Sequence, residues 1–161
     1  MKNKIKTLKE IIILSSKLKK QGKTIVTTNG CFDIMHAGHA ESLQKAKSLG
    51  DVLIVGLNSD SSVRDNKGSL RPIIDEKNRA KMLAAMECVD YVVLFDEKDP
   101  SNLLEAIKPN IHVKGADRRM DEILEKDVVE RNGGKIVLIP FSTKISTSDI
   151  IKKIIKIYSK K

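Results

Sequence analysis

Two histidines lie three residues apart in the segment Asn29-Gly30-Cys31-Phe32-Asp33-Ile34-Met35-His36-Ala37-Gly38-His39. The segment follows an apolar, β-branched run at 24–28 and precedes a helix-like run that begins at Ala40. We therefore expect the histidines at a strand-to-helix junction, where unpaired backbone N–H groups and the positive end of the helix dipole face the crevice beyond the strand. Such a junction favours binding of a phosphate group.

The residue types of this segment point to the same chemistry. Gly30 and Gly38 lack a Cβ, so backbone amides can approach a phosphate oxygen closely. His36 and His39 supply donors of a residue type that can gain a charge near neutral pH, at a place where negative charge develops as a phosphoryl centre is attacked. We predict that both histidines are catalytic and that Cys31 is a small packing residue, because the chemistry needs no covalent nucleophile.

Outside this segment, strand-like apolar runs alternate with helical runs. Strands are predicted at 24–28, 51–57, 91–95, 111–113 and 135–139, and helices at 7–22, 40–49, 76–87, after Asp99-Pro100, at 122–131 and from Ser146. Strands that are apolar throughout and separated by helices predict an α/β fold, a doubly wound, Rossmann-like parallel sheet with helices on both faces. Ligands of such folds bind beyond the carboxyl ends of the strands.

We expect one domain over residues 1–161, with residues 1–22 forming an N-terminal helix packed on the core. That helix opens with a capping box, Thr7-Leu8-Lys9-Glu10, and Gly22 ends it. The polar stretch 63–72 has no clear periodicity, and we predict a mobile segment there that folds over the site.

The composition narrows the function classes. Thirty Lys and Arg residues against 21 Asp and Glu give a net charge of +9, but the lysines are spread along the chain and aromatic residues for base stacking are few. An anionic small substrate explains this charge, and we expect neither a nucleic acid nor a membrane partner. Two cysteines without metal-ligand spacing favour the reducing cytoplasm.

The motifs resemble those of the nucleotidyltransferases with an HxGH signature, a superfamily that includes the cytidylyltransferases. His36-Ala37-Gly38-His39 and Ile145-Ser146-Thr147-Ser148 carry that resemblance. Four segments, 28–39, 55–60, 67–72 and 113–117, are most similar to those of the bacterial D-glycero-β-D-manno-heptose 1-phosphate adenylyltransferases, and the similarity runs over residues 23–155.

This resemblance implies transfer of a nucleotidyl group from ATP to a sugar 1-phosphate, which yields ADP-heptose and pyrophosphate for lipopolysaccharide core or related glycans. Many such proteins carry a sugar-kinase domain in front of this one. We expect no such domain in these 161 residues, so the resemblance also implies a separate kinase and phosphatase in the same pathway. Mg²⁺ is expected with the triphosphate rather than in an all-protein metal site. A homodimer is expected, because similar enzymes form dimers and the first and last helices are apolar.

The resemblance also assigns residues to roles. The catalytic set is His36, His39 and Lys67; the nucleotide-binding set is Asn29, Gly30, Cys31, Phe32, Gly38, Lys114, Asp117, Ser146, Thr147 and Ser148; the acceptor-binding set is Asp33, Arg71 and Arg118; no metal ligand is assigned. Two departures, Arg118-Arg119 in place of an aromatic residue and Lys144-Ile145 before the serine motif, bear on sugar and nucleotide preference.

Several residues have a structural alternative. Ser146 suits an N-cap as well as a phosphate contact, Asp33 suits orientation of its loop as well as an acceptor hydroxyl, and Arg79 suits a salt bridge as well as a ligand. Asn58 and Asp60 suit support of the loop after the second strand. Other functions stay open: a cytidylyltransferase acting on glycerol 3-phosphate or a similar alcohol phosphate, a GTP-using heptose enzyme, and a non-catalytic nucleotide or RNA binder.

Overall fold

A computed structural model describes residues 3–116, 119–140 and 145–159 and contains a six-stranded sheet. The strands are β1 (Ile5–Lys6), β2 (Ile25–Gly30), β3 (Val52–Asn58), β4 (Tyr91–Phe95), β5 (Ile111–Gly115) and β6 (Lys135–Ile139). The helices are α1 (Leu8–Lys20), α2 (Ala37–Lys47), α3 (Asp60–Lys67), α4 (Glu76–Ala85), α5 (Ser101–Ile107), α6 (Lys126–Arg131) and α7 (Thr147–Tyr158), with a 3-10 turn at Met120–Glu122.

The strand order is β1-β4-β3-β2-β5-β6, and every strand pair within the described residues is parallel. After β2 the chain moves to β3 and β4 on one side, then crosses to β5 and β6 on the other. The order of the strands therefore reverses between β2 and β5, and a crevice opens there beyond the carboxyl ends of these two strands. This arrangement confirms the predicted Rossmann-like sheet.

Side chains alternate between two apolar layers along the central strands. Ile25 and Ile54 pack with Ile11 of α1 on one face, whereas Val26 and Leu53 pack with α2 and α4 on the other. These five side chains are fully buried. Each contributes about 1.5–3 kcal/mol relative to an exposed side chain, so helices on both faces hold the strands in place.

The first helix forms as its sequence predicts. The Thr7 Oγ1 accepts a hydrogen bond from the Glu10 amide (3.2 Å), and the Glu10 carboxylate accepts one from the Thr7 amide (2.8 Å). The helix ends at Lys20, and Gly22 follows with a φ of +71°, a conformation that glycine adopts without strain. Ile11 and Ser15 are buried against the sheet.

The segment 63–72, which is predicted to be mobile, is helical in its first half because α3 continues to Lys67, and its movement over the site stays a prediction. Ser59 caps this helix by accepting from the Ser62 amide (3.3 Å), and Val63 is fully buried. One apolar anchor in eight residues gives no helical periodicity, so local capping and a single buried contact form a helix that the hydrophobic pattern does not reveal.

Other boundaries differ by a few residues. The helix predicted at 122–131 is a 3-10 turn followed by the shorter α6, and β2 and β5 each extend two residues further than predicted. The short β1 was not predicted. Helices α1 and α7 leave Ile13 (63% exposed) and Ile155 (58%) at the surface, and the homodimer stays a prediction. Among the described residues, no helix has the length and apolar character needed to cross a membrane.

Candidate active site

The two histidines of the HxGH segment lie at the crevice where the strand order reverses. β2 ends at Gly30, and α2 begins at Ala37 with His36 as its N-cap. The His36 carbonyl accepts the His39 amide (2.9 Å), so the amides of Ala37 and Gly38 precede the first intrahelical bond. Gly38 is buried in this first turn. The start of α2 thus presents backbone N–H groups and the positive end of its dipole to an anion.

The imidazoles of His36 and His39 stack, with ring centroids 3.9 Å apart and an interplanar angle of 28°. The Nδ1 atom of each ring is buried and has no hydrogen-bond partner within the described part of the chain. Buried polar atoms are ordinarily paired, so two adjacent unpaired nitrogens require an explanation. A bound anion would satisfy these nitrogens once each carries a proton.

Phe32 shapes the loop between β2 and α2. Its φ of +45° is uncommon for an aromatic residue, and its ring packs on His39 with centroids 5.3 Å apart. A Cβ added at Gly30 would lie 3.1 Å from the Phe32 ring, so glycine permits this close packing. The unusual backbone at Phe32 therefore turns the loop and supports one face of His39.

The histidines are neutral in the free protein at pH 7. Burial lowers the pKa of His36, and burial together with repulsion from His36 lowers the pKa of His39 to about 4. An anionic ligand reverses this effect, because negative charge beside an imidazole favours its protonated form. The pair is therefore set to take up protons when a phosphate binds.

We expect ATP binding to take up protons as the pH falls from 7 toward 4, because in the free protein the pKa of His36 is lowered and that of His39 is about 4, and the negative charge of the triphosphate raises both. By linkage, the Kd for ATP falls as the pH falls through this range. Calorimetry in buffers of different ionisation enthalpy measures the uptake, and a variant carrying both His36→Gln and His39→Gln reports the protonation of ATP itself. Equal uptake by this variant and the parent protein would contradict the expectation.

Asp33 anchors the segment that follows α3. The Asp33 side chain is fully buried. Its carboxylate accepts hydrogen bonds from the amides of Ile73 (2.9 Å) and Ile74 (2.8 Å) and from the Arg71 Nε (2.5 Å). Burial alone raises the pKa of Asp33, but these donors outweigh it and leave the pKa below its ordinary value. The buried carboxylate supports the alternative in which Asp33 orients its loop, and the acceptor contact of Asp33 stays a prediction.

Asp33→Asn is expected to lower the free energy of unfolding by about 1.5–3 kcal/mol, since hydrogen bonds to a charged group are lost. It should also speed proteolysis within residues 68–74, because that segment loses its anchor. Urea unfolding and limited proteolysis measure the two effects, with the exposed Asp65→Asn as the matched control. Unchanged cleavage of residues 68–74 would show that Asp33 does not hold the segment.

Three cations surround Cys31 at the crevice. Lys67, Arg79 and Arg71 all act on the Cys31 thiol electrostatically, yet burial has the larger effect and raises its pKa. The thiol is therefore protonated at neutral pH and is a poor nucleophile, in agreement with the predicted packing role. Lys67 is exposed at the end of α3, and its catalytic role stays a prediction.

Arg79 is a structural residue rather than a ligand contact. It is 1% exposed and donates from Nη1 to the carbonyls of Cys31 (2.6 Å) and Asn58 (2.8 Å), and from Nη2 to Asp60 (2.7 Å). Asn58 in turn donates to the Ser62 hydroxyl (2.9 Å). The structural alternatives for Arg79, Asn58 and Asp60 are those that the geometry supports.

On the other side of the crevice, Lys114 near the end of β5 reaches across to β2. Its ammonium donates to the Asn29 Oδ1 (2.8 Å) and forms an ion pair with Glu125. Glu125 also contacts the Nε2 of His112 (3.3 Å). Sequence reasoning missed Glu125 and His112, because neither belongs to a recognisable motif.

The serine motif lies at the start of α7. Ser146 caps this helix, since its Oγ accepts from the Asp149 amide (3.2 Å) and donates to the Asp149 carboxylate (2.6 Å). The Thr147 hydroxyl donates to the Ile34 carbonyl (3.1 Å), which brings the start of α7 against the HxGH loop. Ser148 is exposed. The cap is formed in the structure, and phosphate contacts from these three residues stay a prediction.

Asp117, Arg118 and Lys144 lie outside the described residues. Within the described ranges, no group of three or more His, Cys, Asp or Glu side chains is placed to hold a metal ion. The donor set of the crevice is cationic and neutral: two imidazoles, Lys67, Arg71, Lys114 and helix-start amides. It suits an anionic ligand of several phosphates.

Comparison with known proteins agrees with this geometry. The cytidylyltransferase-like family model matches residues 27–153, which include both histidines and the serine motif. The chain belongs to the cytidylyltransferase-like family. Membership confirms the resemblance to nucleotidyltransferases, and the chain is an enzyme of that type.

The curated proteins similar to this chain include larger proteins. The chain is 52% identical over 155 residues to the bifunctional protein HldE of Geobacter metallireducens, covering 96% of this chain and 32% of the relative. It is also 52% identical over 137 residues to HldE of Helicobacter pylori, covering 85% and 29%. The chain thus spans about a third of the length of these curated relatives.

Solved structures share the fold. A lipopolysaccharide core biosynthesis protein from Thermoplasma volcanium has a TM-score of 0.64 and 32% identity, and the match covers 77% of this chain and all of that one. A pantoate-beta-alanine ligase from Francisella tularensis, solved with an ATP compound and β-alanine, has a TM-score of 0.65 at 20% identity, covering 96% of this chain and 77% of that one. The second likeness concerns the fold alone.

Proposed function

We propose that this chain transfers the adenylyl group of ATP to D-glycero-β-D-manno-heptose 1-phosphate, giving ADP-heptose and pyrophosphate. The stacked His36 and His39 pair, with its unpaired nitrogens at the start of α2, is the observation that carries the transfer chemistry. The heptose acceptor is supported by the similarity to HldE proteins and to a lipopolysaccharide core biosynthesis protein.

The reaction needs alignment and charge neutralisation rather than a protein nucleophile. An oxygen of the sugar phosphate attacks the α-phosphorus of ATP, a new P–O bond forms, and the bond to pyrophosphate breaks. In the proposed mechanism His36 and His39 donate to the oxygens that gain charge at the α-phosphate and the leaving group. The Ala37 and Gly38 amides neutralise the same charge from the helix start.

The acceptor phosphate is proposed to bind beneath the segment anchored by Asp33. Within residues 3–116, 119–140 and 145–159, Arg71 pairs with Asp33 through its Nε, and its terminal guanidinium nitrogens are proposed to bind an anion. Lys67, on the same side, is proposed to contact the triphosphate. Arg71 on the anchored segment and Lys67 at the end of the preceding helix α3 would bring the substrates together.

Mg²⁺ is proposed to arrive with the triphosphate, whose oxygens supply most of its ligands. The chemistry that the ion adds is neutralisation of charge on the phosphates. A sugar-kinase activity is proposed to supply the heptose 1-phosphate, and a phosphatase to act in the same route. The cytoplasm is the proposed location, supported by the two free cysteines.

A cytidylyltransferase acting on glycerol 3-phosphate is the second candidate, favoured by the name of the family whose model matches. The nucleotide base and the acceptor therefore have to be tested together. A GTP-using heptose enzyme is covered by the same test.

The experiment measures pyrophosphate release with Mg²⁺ for ATP, CTP and GTP, each against both anomers of heptose 1-phosphate and against glycerol 3-phosphate. Selective turnover of ATP with the β-anomer is expected. Turnover of CTP with glycerol 3-phosphate would replace the proposal with the second candidate, and turnover of GTP with a heptose phosphate would correct the nucleotide. Full turnover in excess chelator would contradict the role of Mg²⁺.

A further inference from the structure

A network of buried polar side chains connects the interior of the sheet to the crevice. Thr27 of β2 and His112 of β5 are register partners, and the Thr27 Oγ1 lies 2.8 Å from the His112 Nδ1. The opposite nitrogen of His112, Nε2, lies 3.3 Å from Glu125, which contacts Lys114. Lys114 then donates to Asn29 at the end of β2. This network thus ends at Lys114 and Asn29, which line the proposed phosphate site.

Glu125 is unusual for its position. It is the N-cap residue of α6, where a carboxylate ordinarily accepts from the first-turn amides, yet its side chain makes no capping bond. The side chain is instead directed inward and is 4% exposed. Burying a carboxylate is costly unless it is paired, so its two partners, His112 and Lys114, are the reason it is tolerated.

The proton positions in this network follow from the donors available. Burial lowers the pKa of His112, and the hydrogen bond from His112 and the charge of Lys114 outweigh burial at Glu125 and lower its pKa to about 2. A neutral His112 beside an ionised Glu125 must therefore carry its proton on Nε2. The His112 Nδ1 then accepts a hydrogen bond from the Thr27 hydroxyl, so both nitrogens of His112 are paired.

Lys114 is held with one donor left over. An ammonium group has three N–H donors, and Glu125 and Asn29 take two of them in the described structure. Because an ammonium only donates, the Asn29 Oδ1 must face Lys114 and the Asn29 amide N–H groups must face away. Within the described part of the chain, Lys114 therefore keeps one N–H donor and Asn29 keeps its amide N–H groups outside the contacts that hold them.

We infer that Glu125, itself fixed by His112, is a positioning residue that holds the Lys114 ammonium against Asn29 so that both residues offer donors to the nucleotide phosphates. The inference rests on the proposed function and adds a residue to it that belongs to none of its sequence motifs. Glu125 does not touch the substrate; it acts through Lys114.

A double-mutant cycle with Lys114→Gln and Glu125→Gln tests this dependence. Lys114→Gln is expected to lower kcat/KM about ten- to a hundredfold, because a charge-assisted hydrogen bond to phosphate is lost. Glu125→Gln is expected to lower it about tenfold. If Glu125 acts through Lys114, the double variant is no worse than Lys114→Gln alone, whereas losses that multiply would overturn the inference.

The controls separate positioning from folding. Glu130→Gln on α6 removes an exposed carboxylate and should leave kcat/KM unchanged. Glu125→Asp keeps the charge but withdraws it from Lys114, so an intermediate loss is expected; a loss equal in all Glu125 variants with an equal fall in Tm would show a structural role only.

The same cycle is measured on the Kd for ATP by calorimetry. If the parent protein releases no pyrophosphate with any substrate pair, the proposed function fails, yet the ATP cycle still decides the inference. Additive effects on the ATP Kd would reject the role of Glu125, and a double variant equal to Lys114→Gln would support it.

Discussion

His36→Ala and His39→Ala are each expected to lower kcat for pyrophosphate release by about 10²- to 10³-fold, the typical effect of removing one preorganised donor to a developing charge. The stacking of the rings at 3.9 Å and the two unpaired Nδ1 atoms support this expectation. Near-full turnover by either variant would remove that histidine from the mechanism.

The controls for this prediction follow from the surroundings of the rings. Gln44→Ala changes an exposed residue of the same helix and should leave turnover intact. Because His39 also packs on Phe32, circular dichroism and Tm must accompany the kinetics. The two histidines act on one reacting centre, so we expect the double variant to lose less than the product of the single losses.

Much of the sheet could be predicted because its strands read as continuous apolar runs, of which the central β3 is buried along its whole length. The strands at 91–95 and 135–139 have the predicted bounds. β2 and β5 extend further than predicted because Asn29 and Lys114 interrupt the apolar pattern while their backbones still pair, with Gly56 and Leu138 respectively. Pairing with a neighbouring strand is not visible in local hydrophobicity.

Some residues of the candidate site could be predicted from the sequence, and others could not. The HxGH histidines were predictable because their chemistry depends on a local strand-to-helix junction. The role of Glu125 was not predictable, because its return to Lys114 depends on the 3-10 turn and the short α6. Neither element shows a hydrophobic periodicity. The burial of Asp33 was not predictable either, because it depends on residues 71–74, about forty positions along the chain.

Arg79→Met is expected to lower the free energy of unfolding by about 3–5 kcal/mol, the typical cost of breaking a buried ion pair by removing one partner. The Arg79 side chain is fully buried, and four of its five N–H donors are used: by the carbonyls of Ile74, Cys31 and Asn58 and by the Asp60 carboxylate. Methionine fills similar space but leaves these acceptors unpaired. Urea unfolding measures the loss.

Arg79→Met should also weaken ATP binding in the crevice, because Arg79 joins the loop after β2 to the end of β3 through the carbonyls of Cys31 and Asn58. We expect Arg79→Lys to recover only part of the stability, since a single ammonium cannot reproduce the planar fork of donors. The exposed Lys77→Met, on the same helix, is the matched control and should be neutral. If Arg79→Met kept the stability of the parent protein and weakened only ATP binding, Arg79 would be a ligand contact after all, and the junction beneath the histidines would be held by other groups.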